Sequence, residues 1–268
     1  MSPKVRLDLH LLTQGIVNTR QQAIQLIRAG KVKSLDGQIL DKPGKEINDD
    51  LELIVKSSPR FVSRGGEKLI EAFKNFPLNV DNRICLDCGI STGGFTDCLL
   101  QKGASIVYGI DVGYGQTAWS LRNDQRVVLK ERTNIRHLTL DNLYGFSEDK
   151  ATFFVADLSF ISLTIAMPSI TNLLANHNRE GVVLVKPQFE VGRERVGKKG
   201  VVRDPDLHEY ALRKVVDCAI DLDWTPKGLI ASPITGPAGN HEYLLWLGMG
   251  DYSSKLPDLK VLVAQTLT

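Results

Sequence analysis

Residues 83–95 read Arg83-Ile84-Cys85-Leu86-Asp87-Cys88-Gly89-Ile90-Ser91-Thr92-Gly93-Gly94-Phe95. A short apolar run closes on an acid, a glycine-rich turn follows, and Phe95, Leu99 and Leu100 then recur at helical spacing. A second apolar run, Ile106-Val107-Tyr108-Gly109-Ile110, ends in Asp111, 24 residues after Asp87. The pattern predicts a strand, a turn, a helix and a strand, with a carboxylate at the end of each strand. Such a unit places a nucleoside pocket at the carboxyl edge of a parallel sheet, where an acid about 20 residues past the turn binds ribose hydroxyls. Glycines carry no Cβ, so the turn admits close approach of backbone to ligand.

The same rhythm extends outward. Strands are expected near residues 84–87, 105–111, 126–130, 152–157, 181–186, 227–232 and 242–248, and helices near 66–75, 94–102, 115–123, 162–175 and 206–221. Alternation of this kind predicts an α/β fold, a doubly wound parallel sheet covered on both faces. Residues 188–204, rich in Gly, Arg, Lys and Glu, read as an exposed loop. Ahead of this region, residues 5–29 read as two short helices. Asn18-Thr19 caps the second, Ala23, Ile24 and Ile27 form its buried stripe, and Gly30 ends it. A strand at Lys31–Lys33, an Asp36-Gly37 turn with a second strand, and a final strand at 51–55 complete a small α+β unit. The expected division is a domain at 1–56, a linker at 57–63 and a domain at 64–268.

The chain of 268 residues has a formal net charge of only +2, but residues 1–60 hold ten Lys/Arg against seven Asp/Glu. The positive excess sits in the small unit. The start, Met1-Ser2-Pro3-Lys4-Val5-Arg6, has no apolar core of a signal peptide. No run approaches the roughly 18 apolar residues of a membrane span. A cytoplasmic protein with no membrane partner is expected. Cys85 and Cys88 form Cys-x-x-Cys. On a strand, positions three apart point to opposite faces, and no second pair or nearby His completes a zinc set, so no metal is expected.

The turn reads Gly-x-x-x-Gly-Gly and lacks the pyrophosphate fingerprint Gly-x-Gly-x-x-Gly. The form Asp-x-Gly-x-x-x-Gly resembles the first motif of S-adenosylmethionine (SAM) methyltransferases. The turn by itself also fits another nucleotide, or a turn with no ligand. On the SAM reading, Asp87, Gly89, Ser91, Gly93, Gly94, Asp111 and Asp157 surround the cofactor, with Asp87 favouring its cationic amino group. Two other stretches carry less. Gly192–Lys199 nearly spells a phosphate-binding loop but ends in Lys where a magnesium ligand belongs. His208-Glu209 lacks the second His of a zincin motif and reads as a surface pair.

Longer stretches resemble the TlyA family: Ser63-Arg64-Gly65-Gly66-Glu67-Lys68-Leu69, Gly89–Thr96, Asp111–Gln116, Glu131-Arg132-Thr133-Asn134, Ala156–Ser162, Val185-Lys186-Pro187-Gln188-Phe189-Glu190 and Gly239-Asn240-His241-Glu242-Tyr243. The resemblance implies an FtsJ-like, Rossmann-like class I methyltransferase behind an RNA-binding domain of the kind first seen in ribosomal protein S-four. It also implies SAM-dependent methylation of a ribose 2′-hydroxyl in ribosomal RNA, at cytidine, with ribosomal RNA or ribosomal subunits as partners. By motif match, the catalytic Lys-Asp-Lys-Glu tetrad is Lys68, Asp157, Lys186 and Glu242. Their positions agree with this. Asp157 and Lys186 end successive apolar strands, and Glu242 opens a last strand expected to run antiparallel, so all three share one sheet edge. By position alone, Glu242 and Lys68 equally suit an ordinary strand-start acid and a solvated helix residue, and Asp157–Lys186 a structural ion pair. Arg6, Arg20, Lys31, Lys33 and Lys42 are the candidate RNA contacts of the small unit. The rival readings are a non-catalytic RNA-binding or ribosome-assembly factor and, from a name some family members carry, a hemolysin. The intact tetrad opposes the first, and the missing membrane segment opposes the second.

Overall fold

A computed structural model describes residues 3–17, 19–56, 59–249 and 256–268. The chain divides into two compact units, Met1–Arg60 and Phe61–Thr268.

In the first unit, β1 (Lys4–Arg6) leads into α1 (Leu7–Thr13), followed by α2 (Arg20–Arg28), β2 (Val32–Ser34), β3 (Glu46–Asn48) and β4 (Leu53–Val55). Thr19 starts α2 through a reciprocal capping box with Gln22, each bond 3.2 Å. Asn18, the other half of the expected cap, lies outside the described residues, as do Ser57 and Ser58 of the expected linker. Gly30 ends α2 at φ +65°, and Lys31 N donates back to Leu26 O, as in a left-handed helix cap. Leu7, Leu11, Ala23, Ile27, Val32, Leu40 and Ile47 form this unit's own core, with Ile24 only half-buried. The hairpin expected at Asp36-Gly37 reduces to a single bridge between Lys33 and Ile39. The true partner of β2 is β4, and β1, which the sequence reading missed, pairs with β3.

The second unit holds α3 (Gly65–Asn75), β5 (Ile84–Cys88), α4 (Gly94–Gln101), β6 (Ile106–Ile110), α5 (Trp119–Arg122), β7 (Val127–Lys130), α6 (Leu140–Tyr144), β8 (Phe153–Ala156), α7 (Leu163–Asn172), β9 (Glu180–Val185), α8 (Pro187–Glu190), α9 (Pro205–Asp221), β10 (Thr225–Ala231), β11 (Tyr243–Gly248) and α10 (Leu259–Leu267). Its seven strands run in the order β10-β11-β9-β8-β5-β6-β7. All pairings are parallel except those of β11, which is antiparallel to both β9 and β10. The order reverses between β5 and β8, so the crevice beyond their carboxyl ends is where such sheets bind ligands.

Side chains alternate across the sheet. Cys85, Val107, Phe153 and Val155 pack on one face with α3 and α4, while Leu86, Cys88, Ile110 and Phe154 pack on the other with α7 and α9. Cys85 and Cys88 therefore face opposite layers, as their spacing requires, and burial pushes the Cys85 thiol up to about 12 and raises Cys88 as well. The helix expected over 115–123 shrinks to Trp119–Arg122. The preceding segment is held by other bonds instead: Gly113 N donates to Asp111, Gly115 N to Glu131, and the Thr117 hydroxyl to the Ser91 carbonyl. The 188–204 stretch is exposed from Gly192 to Gly200 but for half-buried Val196, and short helical turns punctuate it. His208 is not a surface residue. It is fully buried, hydrogen-bonded to Tyr243 OH at 2.9 Å and to Val202 O at 3.0 Å.

Candidate functional site

Gly89 makes the crevice. It follows β5 at φ +91°, a conformation glycine adopts without cost. A Cβ here would lie 2.8 Å from the Asp157 carbonyl oxygen, so the loops after β5 and β8 meet backbone to backbone. Gly94 does the equivalent for the helices. Its Cβ would stand 2.3 Å from Ser63 Oγ and 2.8 Å from Gly66 N, so α4 packs directly on the start of α3 and sets the position of Lys68.

Two cavities open there. The larger, about 1200 Å³, is bounded by Gly89, Ser91, Asp111, Asn134 and Asp157 on one side and by Phe160, Gln188, Phe189 and the 192–200 loop on the other. The smaller, about 450 Å³, holds Lys68, Asp157, Lys186 and Glu242 in one wall, with Ser63 and Gly94 beside them. Gly89, Ser91, Asp157 and Ser159 belong to both, so the cavities adjoin.

In the smaller cavity the four charged groups form two pairs. Lys68 Nζ donates to Glu242 Oε2 at 2.6 Å, and both side chains are buried. Lys186 Nζ stands 2.6 Å from Asp157 Oδ1 and donates to Ser159 Oγ at 2.9 Å. The contact with Asp157 is an ion pair, and this buried oxygen accepts no hydrogen bond among the described residues. Two ammonium groups in a desolvated wall are tolerable because two carboxylates neutralise them. The fold supplies the pairing: Tyr243 of β11 lies in register with Val185 of β9, so the residues just outside that pair, Glu242 and Lys186, emerge at one edge.

In the larger cavity, Asp111 is aimed by the backbone. Its Oδ2 accepts from Ser91 N at 2.8 Å and its Oδ1 from Gly113 N at 2.7 Å. A carboxylate offers about four lone-pair directions, so two remain for a diol. Ser91 holds an unusual φ of +49° to make its bond. The Gln188 Oε1, which lacks a hydrogen-bond partner among the described residues, and the pre-aimed Asp111 suit a polar nucleoside.

Two expected cofactor residues lie elsewhere. Asp87 is one residue short of the strand end, on the face covered by α4, where Thr96 Oγ1 donates to it at 2.7 Å. It is 1 % exposed and lines neither cavity, and burial pushes its carboxyl up to about 7, with Asp157 and Asp111 adding to the rise. Gly93 caps α4 against Leu121 and also lines neither, while Gly94 borders only the smaller cavity. Conversely, Ser159, Asn134, Phe160 and Gln188 stand in the walls although the sequence reading gave them no role. Each lies inside a quoted motif, which was the available signal. Phe160 is 92 % exposed at φ +64° and meets Phe189 with ring centroids 5.3 Å apart.

Residues 61–249 match the FtsJ-like methyltransferase family, and residues 5–53 match the S4 domain. The chain belongs to the FtsJ-like methyltransferase family. Within it, the chain is 47% identical over 249 residues to the 16S/23S rRNA (cytidine-2′-O)-methyltransferase TlyA of Mycobacterium tuberculosis, covering 92% of this chain and 91% of that one. It is also 47% identical to YqxC of Bacillus subtilis over 265 residues, covering 97% and 92%. A solved structure of a hemolysin-named protein from Streptococcus thermophilus is 42% identical, with a TM-score of 0.71 over 99% of this chain and 96% of that one. Among the described residues, no helix of this FtsJ-like protein is long and apolar enough to cross a membrane.

In the S4 unit, the structure brings Arg6 and Arg20 together on one carboxylate, Asp8. Lys31 precedes β2 and Lys33 lies within it, both half-buried, while Lys42 is exposed in the loop before β3.

Proposed function

We propose that this protein transfers a methyl group from SAM to the 2′-hydroxyl of a cytidine ribose in ribosomal RNA, and that it works in the cytoplasm, where ribosomes are. The observation that carries the reading is the joining of the larger cavity, with Asp111 in its wall, through Asp157 and Ser159, to a wall of two lysine–acid pairs. The names of the relatives supply the substrate: the Mycobacterium tuberculosis protein is a cytidine-2′-O-methyltransferase of 16S and 23S rRNA.

Bound SAM supplies a methyl group on a sulfonium, already an excellent leaving group. Asp111 would hold its ribose diol through its two free lone-pair directions, and Asp157 would meet its cationic end. A ribose hydroxyl is a poor nucleophile, so the residues of the smaller cavity act on it. Lys186 contacts the 2′-oxygen and stabilises the negative charge that develops on it, or, as the neutral amine, takes the hydroxyl proton onto Nζ; the O–CH3 bond forms as the S–CH3 bond breaks and the sulfur keeps the electron pair. Asp157 and Ser159 hold the Lys186 amine in place, and Glu242 holds Lys68 as a second cation nearby. Much of the acceleration comes from alignment of oxygen, methyl and sulfur in a line, which a site built on rigid strand ends provides. The target nucleotide must leave its stack to reach this wall, and the exposed Phe160 ring offers a surface for the extruded base. Arg6, Arg20, Lys31, Lys33 and Lys42 of the S4 unit supply cations for the phosphate backbone, which keeps affinity separate from chemistry.

Ribose-methylation mapping of 16S and 23S rRNA, in cells with and without this protein, tests the reading. A cytidine 2′-O-methyl mark that vanishes without the protein and returns with it is expected. Unchanged maps, together with no transfer of labelled methyl to purified subunits, would overturn it.

A further inference from the structure

The two N-terminal arginines rest on a carboxylate that has no exposure of its own. Asp8 lies on α1 and is 0 % exposed. Arg6 donates to it as a fork, Nε to Oδ1 at 3.0 Å and Nη2 to Oδ2 at 3.0 Å, and Arg20 Nε donates to Oδ2 at 2.9 Å. Both arginine side chains stay about half exposed, 46% and 52%. The Arg6 hydrogen bonds, with Arg20 added, outweigh burial and bring the Asp8 carboxyl down to about 2. Asp8 is therefore ionised wherever the protein is folded near neutrality.

One arginine suffices to neutralise one buried carboxylate. The second leaves a net positive charge, and the remaining guanidinium N–H groups donate to no other side chain among the described residues. Each guanidinium has five donors in a planar fork that matches phosphate oxygens, and its long side chain ordinarily loses rotamer freedom on binding. Here that loss is met in advance, because both Nε atoms are tied to one immobile anchor.

We propose that Asp8 is a positioning residue that fixes Arg6 and Arg20 as a two-guanidinium clamp for phosphodiester oxygens of RNA. The proposal rests on the reading of this unit as the RNA-binding module. It makes a prediction of sign. Removing a negative charge from a surface that binds a polyanion should tighten binding if charge alone matters. If Asp8 instead organises the clamp, removing its charge weakens binding.

The test uses the full chain and purified bacterial 30S and 50S ribosomal subunits, with binding measured across roughly 50 to 300 mM KCl. Asp8→Asn, with a thermal unfolding curve like that of wild type, is expected to bind about tenfold more weakly. Arg20→Lys keeps the charge on a half-exposed side chain and loses the fork, so about fivefold weaker binding with an unchanged salt dependence is expected. Adding Asp8→Asn to a variant that already carries Arg6→Ala and Arg20→Ala should cost no more than about twofold beyond that double variant alone, since Asp8 then has no guanidinium to position. Folded Asp8→Asn that binds as tightly as wild type or more tightly overturns the clamp, as does an Arg20→Lys variant indistinguishable from wild type. If Asp8→Asn does not fold, the Arg20→Lys result decides. Wild type that binds neither subunit removes the RNA-binding reading and the clamp with it.

Discussion

Lys68, on the first helix of the methyltransferase unit, meets Glu242 at 2.6 Å across 174 residues of chain. That pair and the Lys186–Asp157 pair draw on four separate segments, α3, the β8 loop, the β9 end and the turn into β11, to furnish one wall. Of the four, Lys186 is the residue predicted to touch the reacting oxygen. Lys186→Ala should lower methyl transfer to ribosomal subunits by about 10²- to 10³-fold, the scale of losing a group that stabilises developing charge. SAM affinity, measured by calorimetry, should stay within about threefold of wild type, since Lys186 does not line the larger cavity. A variant that keeps most of its turnover rules out this role.

Asp111 should separate the other way. Its carboxylate already accepts two backbone N–H groups, and its free lone pairs are the only part offered to ligand. Asp111→Ala removes the diol acceptor and leaves Ser91 N and Gly113 N without their partner. SAM binding should weaken about 10- to 100-fold, in line with the roughly 1.5–3 kcal/mol of a hydrogen bond to a charged group. Calorimetry reads this directly, and unchanged affinity would move the ribose elsewhere.

Gly89 carries a structural demand that the site inherits. Alanine at φ +91° is strained, and its methyl would press on the Asp157 carbonyl from 2.8 Å. Gly89→Ala should destabilise the methyltransferase unit by about 2–4 kcal/mol in denaturant unfolding and displace the Asp157 loop, lowering SAM affinity as well. A variant of wild-type stability would mean that the two loops separate easily.

In the methyltransferase unit β5, β6, β8, β9 and β11 are readable because each is a short apolar run closed by Gly, Asp or Lys, whereas the three-residue strands β1 and β3 hold too few apolar positions to show a pattern. The clustering of Lys68 with Glu242 followed from motifs and from one topological expectation, an antiparallel last strand, which β11 meets. Other features depended on partners that only the fold supplies. His208 looked like a surface residue because Tyr243 and Val202, which satisfy its ring nitrogens, are named by no local pattern. The turn at Asp36-Gly37 signalled a hairpin, but the choice of β4 over the following segment as partner of β2 is a long-range one. α5 is shorter than the 115–123 pattern suggests because Glu131 takes the Gly115 N–H and the Thr117 hydroxyl reaches out to the Ser91 carbonyl, partners that no local pattern names. Asp87 was misplaced by a single position: one residue before the strand end, the side chain turns to the face beneath α4 instead of into the crevice.

That position makes Asp87 a pH-dependent burden on stability. Its carboxyl sits at about 7 in the fold, against an ordinary value of 3.8, because burial, with the nearby Asp157 and Asp111 charges, outweighs the hydrogen bond from Thr96 that favours the ionised form. The folded protein holds the proton that the unfolded chain has released, so folding takes up a proton between these two values. Asp87 then favours the fold most below about pH 4, and that contribution declines as pH rises toward 7, by at most about 1.4 kcal/mol per pH unit. Above 7 the folded carboxyl also ionises and the loss levels off. Asp87→Asn keeps an acceptor for Thr96 and removes the titration. The wild-type protein, unfolded in urea at a series of pH values, should lose stability from pH 5 to 7 relative to the Asn variant, and the two curves should then run parallel. A difference that grows with falling pH instead would show that Asp87 is ionised in the fold and stabilised there by a partner.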